Sequence, residues 1–149
     1  MQWKSTSVED TYSIGKKIIE TVSAPFWFLL EGELGVGKTH LTKGMFSQFG
    51  IGRDVVSSPT FTYVNEYDGY KGDQEIECFH FDLYRVETEH ETAHLLNEYL
   101  ERFSGAVVCI EWSERLSKKY KEELLQQGFH DIVFTISKDT QERNISIIQ

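Results

Sequence analysis

The sequence predicts an α/β fold with three layers, in which helices cover both faces of a mixed β-sheet that is parallel at its centre. Two continuously apolar segments, residues 26–30 and 106–110, indicate strands that are buried on both faces, as in a parallel sheet. Segments with helical spacing alternate with strand-like segments, which is typical of helices that cross a sheet. Because 149 residues suit one hydrophobic core, we predict a single domain, 1–149.

The elements follow in a regular order. Ser7 can cap a first helix, and Ile14 and Ile18 keep helical spacing up to Pro25. A glycine-rich turn follows the first strand, and Gly69 and Gly72 indicate a turn between two antiparallel strands. The other predicted elements are a helix over residues 39–49, the hairpin strands 61–67 and 75–81, a helix over 87–103, a helix over 114–126, and closing strands over 131–137 and 144–148.

Composition limits the classes of partner. Asp and Glu number 24 against 15 Lys and Arg, so the net charge is −9. Such an acidic chain is a poor binder of bare nucleic acid, which needs clustered cations. We therefore expect no contact with DNA, and contact with RNA only through protein partners. No apolar run approaches the roughly 20 residues of a membrane helix, and the N-terminus lacks a signal pattern, so we expect a cytoplasmic protein without membrane association.

The two cysteines, Cys78 and Cys109, each lie in an apolar, strand-like run. Neither has another Cys or His nearby at a spacing that metal sites use. We predict buried, reduced thiols with a structural role.

Residues 32–39 match the phosphate-binding motif G-x-x-x-x-G-K-[ST] at every fixed position. Glycines let the backbone curl so that successive N–H groups point at phosphate oxygens, and the helix that follows brings its positive end to the same place. Lys38 would reach the β- and γ-phosphates, and the Thr39 hydroxyl would bind Mg²⁺. An apolar strand before the motif and a helical pattern after it supply the expected context.

Two apolar strands end in an acid. Glu111 follows residues 106–110, and Asp82 follows residues 76–81. In phosphate-loop proteins an acid at a strand end faces Mg²⁺. We expect one carboxylate to hold the metal and the other to orient or deprotonate the attacking group, although acids at strand ends are also common without function.

Residues 57–60 precede the second strand and contain hydroxyls and a constrained proline. They suit a switch loop that touches the γ-phosphate, and a plain turn is an equally good interpretation on chemistry alone. Guanine-reading patterns are absent, since no Asp is followed three residues later by Gly and no Asn is followed by Lys. This favours ATP over GTP.

Four stretches of the chain resemble the TsaE family, also called YjeE. They are residues 30–39, 58–67, 80–85 and 110–112, which together with their spacing span about half of the chain. The first stretch is generic for phosphate loops, whereas His80-Phe81-Asp82-Leu83-Tyr84-Arg85 with Ser58-Pro59-Thr60 is specific. The resemblance implies a phosphate-loop NTPase fold and an ATPase of bacterial threonylcarbamoyladenosine modification of tRNA.

The resemblance also implies residue roles. Thr39 and Glu111 would hold Mg²⁺, and Asp82 would serve catalysis together with Lys38 and with Thr60 in the switch loop. The residues expected to bind the nucleotide are Val8, Thr11, Gly32, Gly35, Val36, Gly37, Lys38, Thr39, His40, Trp112 and Arg143. His40 and Val36 replace the residues usual in the family, but neither change removes an atom that the loop needs. Residues 88–96 look unlike the family.

The family likeness implies hydrolysis of ATP that is slow alone and productive with TsaD-like and TsaB-like subunits, through which tRNA is met indirectly. Two other interpretations stay open at this point. A small-molecule kinase shares the phosphate loop but needs an acceptor pocket and usually a lid, for which no sequence is evident. A nucleotide-gated binding module without turnover would share the same motif.

Overall fold

A seven-stranded mixed sheet forms the centre of the molecule in the computed structural model, which describes residues 1–148. The strand order across the sheet is β1-β7-β6-β2-β5-β4-β3. Strands β6, β2, β5 and β4 run parallel, whereas β1, β7 and β3 join the sheet antiparallel. The strands are β1 (Gln2–Ser5), β2 (Trp27–Glu31), β3 (Val64–Lys71), β4 (Gln74–Asp82), β5 (Val107–Glu111), β6 (His130–Ile136) and β7 (Arg143–Ile148).

Helices cover both faces of this sheet. They are α1 (Val8–Thr21), α2 (Lys38–Ser47), α3 (Glu89–Asn97) and α4 (Lys118–Gln126). Because side chains alternate along a strand, Phe28 and Leu30 of β2 pack under α1 and α2, while Leu29 packs in the core on the opposite face. The predicted three-layer α/β fold with a centrally parallel sheet is confirmed.

Helices α1 and α2 approach each other closely through two glycines. A Cβ atom on Gly44 would overlap the carbonyl oxygen of Tyr12, and one on Gly15 would overlap the carbonyl oxygen of Leu41. Ser7 caps α1 as predicted, since its Oγ accepts a hydrogen bond from the Asp10 backbone N–H at 3.0 Å. The pair of helices places the start of α2, and with it the phosphate motif, firmly against the sheet.

Several element bounds differ from the prediction. Strand β1 was missed because it is short and mostly polar, and it forms only by pairing with β7 at the far end of the sequence. The prediction of a strand over 61–67 was displaced, since β3 begins at Val64 and includes Gly69. The predicted turn at Gly69 was therefore wrong, and the turn of the hairpin lies at residues 72–73.

Two predicted helices are shorter than expected. Helix α3 begins after Thr88, whose hydroxyl caps it, and a separate 3₁₀ turn, Leu100–Arg102, follows. Helix α4 begins after its cap Ser117, and the residues expected to start it form a 3₁₀ turn, Ser113–Arg115. Both starts are set by serine or threonine caps that offer the first backbone N–H groups an acceptor.

Both cysteines are free thiols without exposed surface, as predicted. Burial raises the pKa of Cys78 to about 12 and raises that of Cys109 as well. Among residues 1–148 no helix is long and apolar enough to cross a membrane.

Candidate functional site

The carboxyl ends of β2, β4 and β5 meet the start of α2 around a cavity of about 360 Å³. Open α/β sheets place ligand sites at this edge, beyond the ends of the parallel strands. The cavity is lined by Leu34, Gly35, Val36, Gly37, Lys38, Thr39, His40, Ser58, Thr60, Asp82, Tyr84, Glu111 and Trp112.

The loop between β2 and α2 forms one wall of the cavity. Gly37 has φ +111°, a conformation that side chains rarely adopt, and a Cβ there would lie 3.3 Å from Thr11 Cγ2. The loop therefore turns sharply into α2 while α1 lies against its back. Val36 is buried against the core, so it can offer only backbone to a ligand.

Lys38 is held inside the loop. Its Nζ donates hydrogen bonds to the carbonyl oxygens of Gly32 and Glu33, the second at 3.0 Å, and lies 3.9 Å from the centroid of a Trp112 ring. Burial lowers the pKa of Lys38, and the carboxylates of Glu114, Glu111 and Asp82 oppose this shift. The ammonium thus lies inside the loop against two of its carbonyl oxygens, and a phosphate bound there would gain both an opposite charge and a hydrogen-bond donor.

Thr39 and Glu111 bring two oxygen atoms that could ligate a metal next to each other in the cavity. Thr39 Oγ1 donates to Glu111 Oε1 at 2.9 Å. Within residues 1–148 no three His, Cys, Asp or Glu side chains converge to enclose a metal. One hydroxyl and one carboxylate are nevertheless the donor set that suits Mg²⁺ at a phosphate site, because this ion keeps several waters and takes further oxygens from the phosphates.

His80 is a residue that the sequence analysis left without a role. Its Nε2 lies 2.6 Å from Glu111 Oε1, and both side chains are buried. Through this contact His80 fixes the orientation of the carboxylate that faces Thr39. The period of two along β4 was the available signal, since it places His80 on the same side of the strand as Asp82.

Asp82 lies at the end of β4, directly opposite Glu111 in the register with β5. Its Oδ2 accepts from Ser58 Oγ at 2.7 Å, and its Oδ1 accepts from the Tyr84 backbone N–H at 2.9 Å. Ser58 belongs to the predicted switch loop, and Thr60 of the same loop also lines the cavity. The carboxylate therefore connects that loop to the strand end and caps the turn at Tyr84.

Trp112 follows Glu111 in a left-handed conformation, with φ +61°. Residues of this size adopt such backbone angles rarely, and they do so mainly at functional sites. The strained backbone turns the indole back over Lys38. Tyr84 extends this wall, with its ring centroid 4.7 Å from that of Trp112.

Four of the residues predicted to bind the nucleotide do not line the cavity, namely Val8, Thr11, Gly32 and Arg143. Val8 is 43% exposed on α1, and Thr11 is buried behind Gly37. Gly32 contributes the carbonyl that binds Lys38. Sequence reasoning missed Leu34 and Tyr84 as lining residues, although Tyr84 lies in a stretch that it singled out, whereas Ser58 belongs to the predicted switch loop.

Burial lowers the pKa of His40, and the nearby charges of Lys43, Arg53 and Arg143, the last on β7, lower it further. The Nε of Arg143 and the Nδ1 of His40 are buried without a hydrogen-bond partner among residues 1–148. Buried polar atoms normally have partners, so these two are candidates to contact a ligand on this side of the loop. The roles of all predicted site residues stay predictions.

Comparison with known proteins decides the family. The family model described as "Threonylcarbamoyl adenosine biosynthesis protein TsaE" matches residues 5–145. This chain belongs to the TsaE family. The tRNA threonylcarbamoyladenosine biosynthesis protein TsaE of Bacillus subtilis is 37% identical over 127 residues, which cover 85% of this chain and 75% of that protein.

Other relatives agree with this assignment. The TsaE protein of a Nostoc species is 40% identical over 125 residues, covering 80% of this chain and 74% of that protein. The crystal structure of Bacillus subtilis YdiB superposes with a TM-score of 0.65 at 29% identity, covering 99% of this chain and 83% of that one. The similarity therefore extends over the whole sheet and is not limited to the phosphate motif.

Proposed function

We propose that this member of the TsaE family binds ATP with Mg²⁺ and hydrolyses it as a subunit of the machinery that makes threonylcarbamoyladenosine in tRNA. The observation that carries the proposal is the convergence of Lys38, the pair Thr39–Glu111 and Asp82 on one cavity at the end of a phosphate loop. The pathway named for the relatives supports this role, and the chemistry of the cavity supports ATP as the ligand.

In this proposal the loop amides and Lys38 bind the β- and γ-phosphates of ATP, because both offer hydrogen bonds to anionic oxygens from a fixed position. Thr39 and Glu111 hold Mg²⁺, which neutralises charge on the phosphate oxygens when bound. His40 lines the cavity and Arg143 lies near it, so both would contact the remainder of the nucleotide. Thr11 is buried behind Gly37 and would support the loop from its other side.

Asp82 is the proposed group that orients the attacking water or accepts its proton. It is buried beside the cavity and already bonded to Ser58 of the switch loop. If the loop moves when the γ-phosphate binds, the Oδ2 atom of Asp82 loses the Ser58 hydroxyl and can accept from water instead. This exchange would make hydrolysis depend on the position of the loop.

The partners in this proposal are TsaD-like and TsaB-like subunits, and tRNA is met only through them. The net charge of −9 supports this division, because the chain itself is unsuited to a polyanion. Hydrolysis by the isolated chain would be slow, and the complex would make it productive.

Hydrolysis of ATP should be measured with the chain alone, with the two transferase subunits, and with a panel of small hydroxyl acceptors. A separate competition experiment compares the binding of ATP with that of GTP. We expect ATP to bind better than GTP and turnover to rise only with the protein subunits. Phosphate transfer to a small acceptor would instead identify a kinase. Tight binding without turnover under every condition would identify a nucleotide-gated binding module.

A further inference from the structure

A second, wider cavity of about 510 Å³ lies beside the candidate site. It is lined by Tyr63, Tyr84, Arg85, Val86, Glu87 and Arg115. Tyr84 lines both cavities, so one tyrosine ring separates the outer cavity from the place proposed for the phosphates. Nothing in the proposed hydrolysis uses the two arginines of the outer cavity.

Neither arginine side chain is bound by an acid or a hydrogen-bond acceptor among residues 1–148. Among residues 1–148, Arg85 and Arg115 form no ion pair and donate no side-chain hydrogen bond, although the chain carries a large excess of acids. The Arg85 guanidinium lies 4.7 Å from the centroid of Phe61, and that of Arg115 lies 5.8 Å from the centroid of Tyr84. Contact with a ring face leaves the N–H groups at the edge of a guanidinium free for an acceptor.

Arg102 provides a comparison within the same molecule, because its guanidinium group has both aromatic and carboxylate partners. It also lies over aromatic rings, those of Phe79 and Tyr99, but its N–H groups donate to the carboxylates of Glu66 and Glu77. Arg85 and Arg115 have the aromatic contact without the carboxylate. Their exposed N–H groups are therefore open to an acceptor from another molecule.

The aromatic residues around the two arginines are exposed. Phe61 is 80% exposed, Tyr84 38% and Tyr63 37%. Arginine and aromatic side chains are the residues most enriched where protein interfaces gain their affinity. The patch is attached to the sheet at Tyr63, whose carbonyl oxygen accepts a hydrogen bond from the Asp82 backbone N–H at 2.9 Å.

We propose that Phe61, Tyr63, Tyr84, Arg85 and Arg115, here called the arginine surface, dock a protein partner through a carboxylate-bearing segment of that partner. The inference deepens the proposed function, on which it rests, by naming the surface and the chemistry that the partner must present. Carboxylates match the planar guanidinium edges in a bidentate manner. The apolar part of the segment covers the exposed rings.

Charge favours a protein over RNA as the occupant. Glu87 lines the same cavity, and Glu89 and Glu91 follow it at the start of α3. A phosphodiester backbone would be repelled by these acids, and binding to it needs a longer array of cations than two arginines. A carboxylate brings one negative charge in place of a row of phosphates, so one or two guanidinium groups suffice to bind it.

The surface is connected to the phosphate site by direct contacts. The Arg115 backbone N–H donates to the Trp112 carbonyl oxygen at 3.0 Å, so one 3₁₀ turn separates the two residues. Trp112 in turn packs against both Tyr84 and Lys38. A partner seated on Arg115 therefore fixes the position of the rings beside Lys38, which gives docking a physical route to the rate of hydrolysis.

The test uses the full chain and the two transferase subunits of the same organism. Arg85→Ala, Arg115→Ala and the charge reversal Arg115→Glu are compared with Arg102→Ala, which removes an arginine whose acceptors lie within the chain. Thermal melting and ATP affinity without partners establish that each variant is folded and loads nucleotide. Calorimetry then gives the affinity for the subunits, and hydrolysis is measured with and without them.

We expect ATP affinity to stay within about twofold for all variants, while affinity for the subunits falls at least about tenfold in each alanine variant and further in Arg115→Glu. Arg115→Lys should recover part of the loss, and Arg102→Ala should bind the subunits normally. Normal subunit binding by folded Arg85→Ala and Arg115→Ala would overturn this inference while leaving the proposed function intact.

Two other outcomes are equally decisive. If the wild-type chain binds neither subunit and shows no stimulated hydrolysis, the proposed function fails and the inference fails with it. If the variants bind the subunits normally but the assembled complex loses affinity for tRNA, the surface serves RNA and the inference is wrong.

Discussion

At the scale of single residues, Lys38 gives the most direct test of the proposed nucleotide site. It is the cation that the loop holds in place, and its ammonium donates to two loop carbonyls. We expect Lys38→Ala to weaken ATP binding about 10- to 100-fold, since a hydrogen bond to a charged group contributes about 1.5–3 kcal/mol. Calorimetry measures the affinity, with Lys119→Ala on exposed α4 as the control. Unchanged affinity in Lys38→Ala would remove the central claim.

Glu111 should act through the metal. Glu111→Gln keeps an oxygen that can accept from Thr39 but removes the negative charge. We expect it to weaken ATP binding much more with Mg²⁺ than without it, because the lost charge faces the cation. Titrations with Mg²⁺ and with a chelator measure the two affinities. Glu114→Gln is the control, because it removes a neighbouring acid that does not line the cavity. Equal losses under the two conditions would assign Glu111 to structure.

Asp82 should act in the transition state. We expect Asp82→Ala to leave ATP affinity within about twofold and to reduce partner-stimulated hydrolysis about 10²- to 10⁴-fold, because a base or positioning group matters mainly when the water attacks. Hydrolysis and melting should be measured on one preparation. The carboxylate also caps the turn at Tyr84, so stability alone could change.

Asp82→Asn separates these two roles. Its amide oxygen can still accept from the Tyr84 backbone N–H, but the group can no longer take a proton. Ser58→Ala, which removes the other hydrogen bond to Asp82, tests the connection to the loop. Near-normal turnover in a folded Asp82→Asn variant would contradict a role as base and leave orientation of water or structure as its function.

At the scale of elements, the packing of α1 on α2 decides where the phosphate loop lies. In an exposed helix Gly→Ala is stabilising by about 1 kcal/mol, but a Cβ on Gly44 would overlap the Tyr12 carbonyl. We expect Gly44→Ala to lower the free energy of unfolding by about 1–3 kcal/mol, since two backbones must separate. Thermal melting measures this, and Lys43→Ala in the same helix is the control. A raised melting temperature would mean that the helices separate at little cost.

At the scale of the whole molecule, the two thiols report on the integrity of the core. Cys78 and Cys109 are buried between the sheet and the first helix pair. Because the thiolate is the reactive form, the raised pKa of Cys78, about 12, and that of Cys109 leave almost no nucleophile at pH 8. We expect iodoacetamide to leave both thiols unmodified in the folded chain and to modify both in denaturant, as measured by mass spectrometry.

Ser13→Cys, on the exposed side of α1, supplies a matched control that should react in the folded chain. Rapid modification of Cys78 or Cys109 under native conditions, at the rate of this control, would show that the sheet opens frequently. In that case the site at its edge would not be preorganised.

The sequence by itself determined the fold class, the glycine-rich loop over residues 32–39 and the acids at the strand ends. These follow from local rules, since an apolar strand, a glycine-rich turn and a helix start are neighbours in the chain. It also indicated the capped start of α1 at Ser7. Residues that are close in sequence interact directly with one another, so the sequence pattern is enough to predict their local structure.

Only the tertiary structure decided the contacts between elements that are distant in the sequence. Strand β1 exists because β7 lies beside it, and His80 reaches Glu111 because β4 and β5 are neighbours in the sheet. The contact between the Arg115 guanidinium and the Tyr84 ring likewise depends on how the 3₁₀ turn Ser113–Arg115 packs beside the end of β4. The physical reason is that packing between elements, unlike local hydrogen bonding and periodicity, leaves no regular trace in the order of the residues.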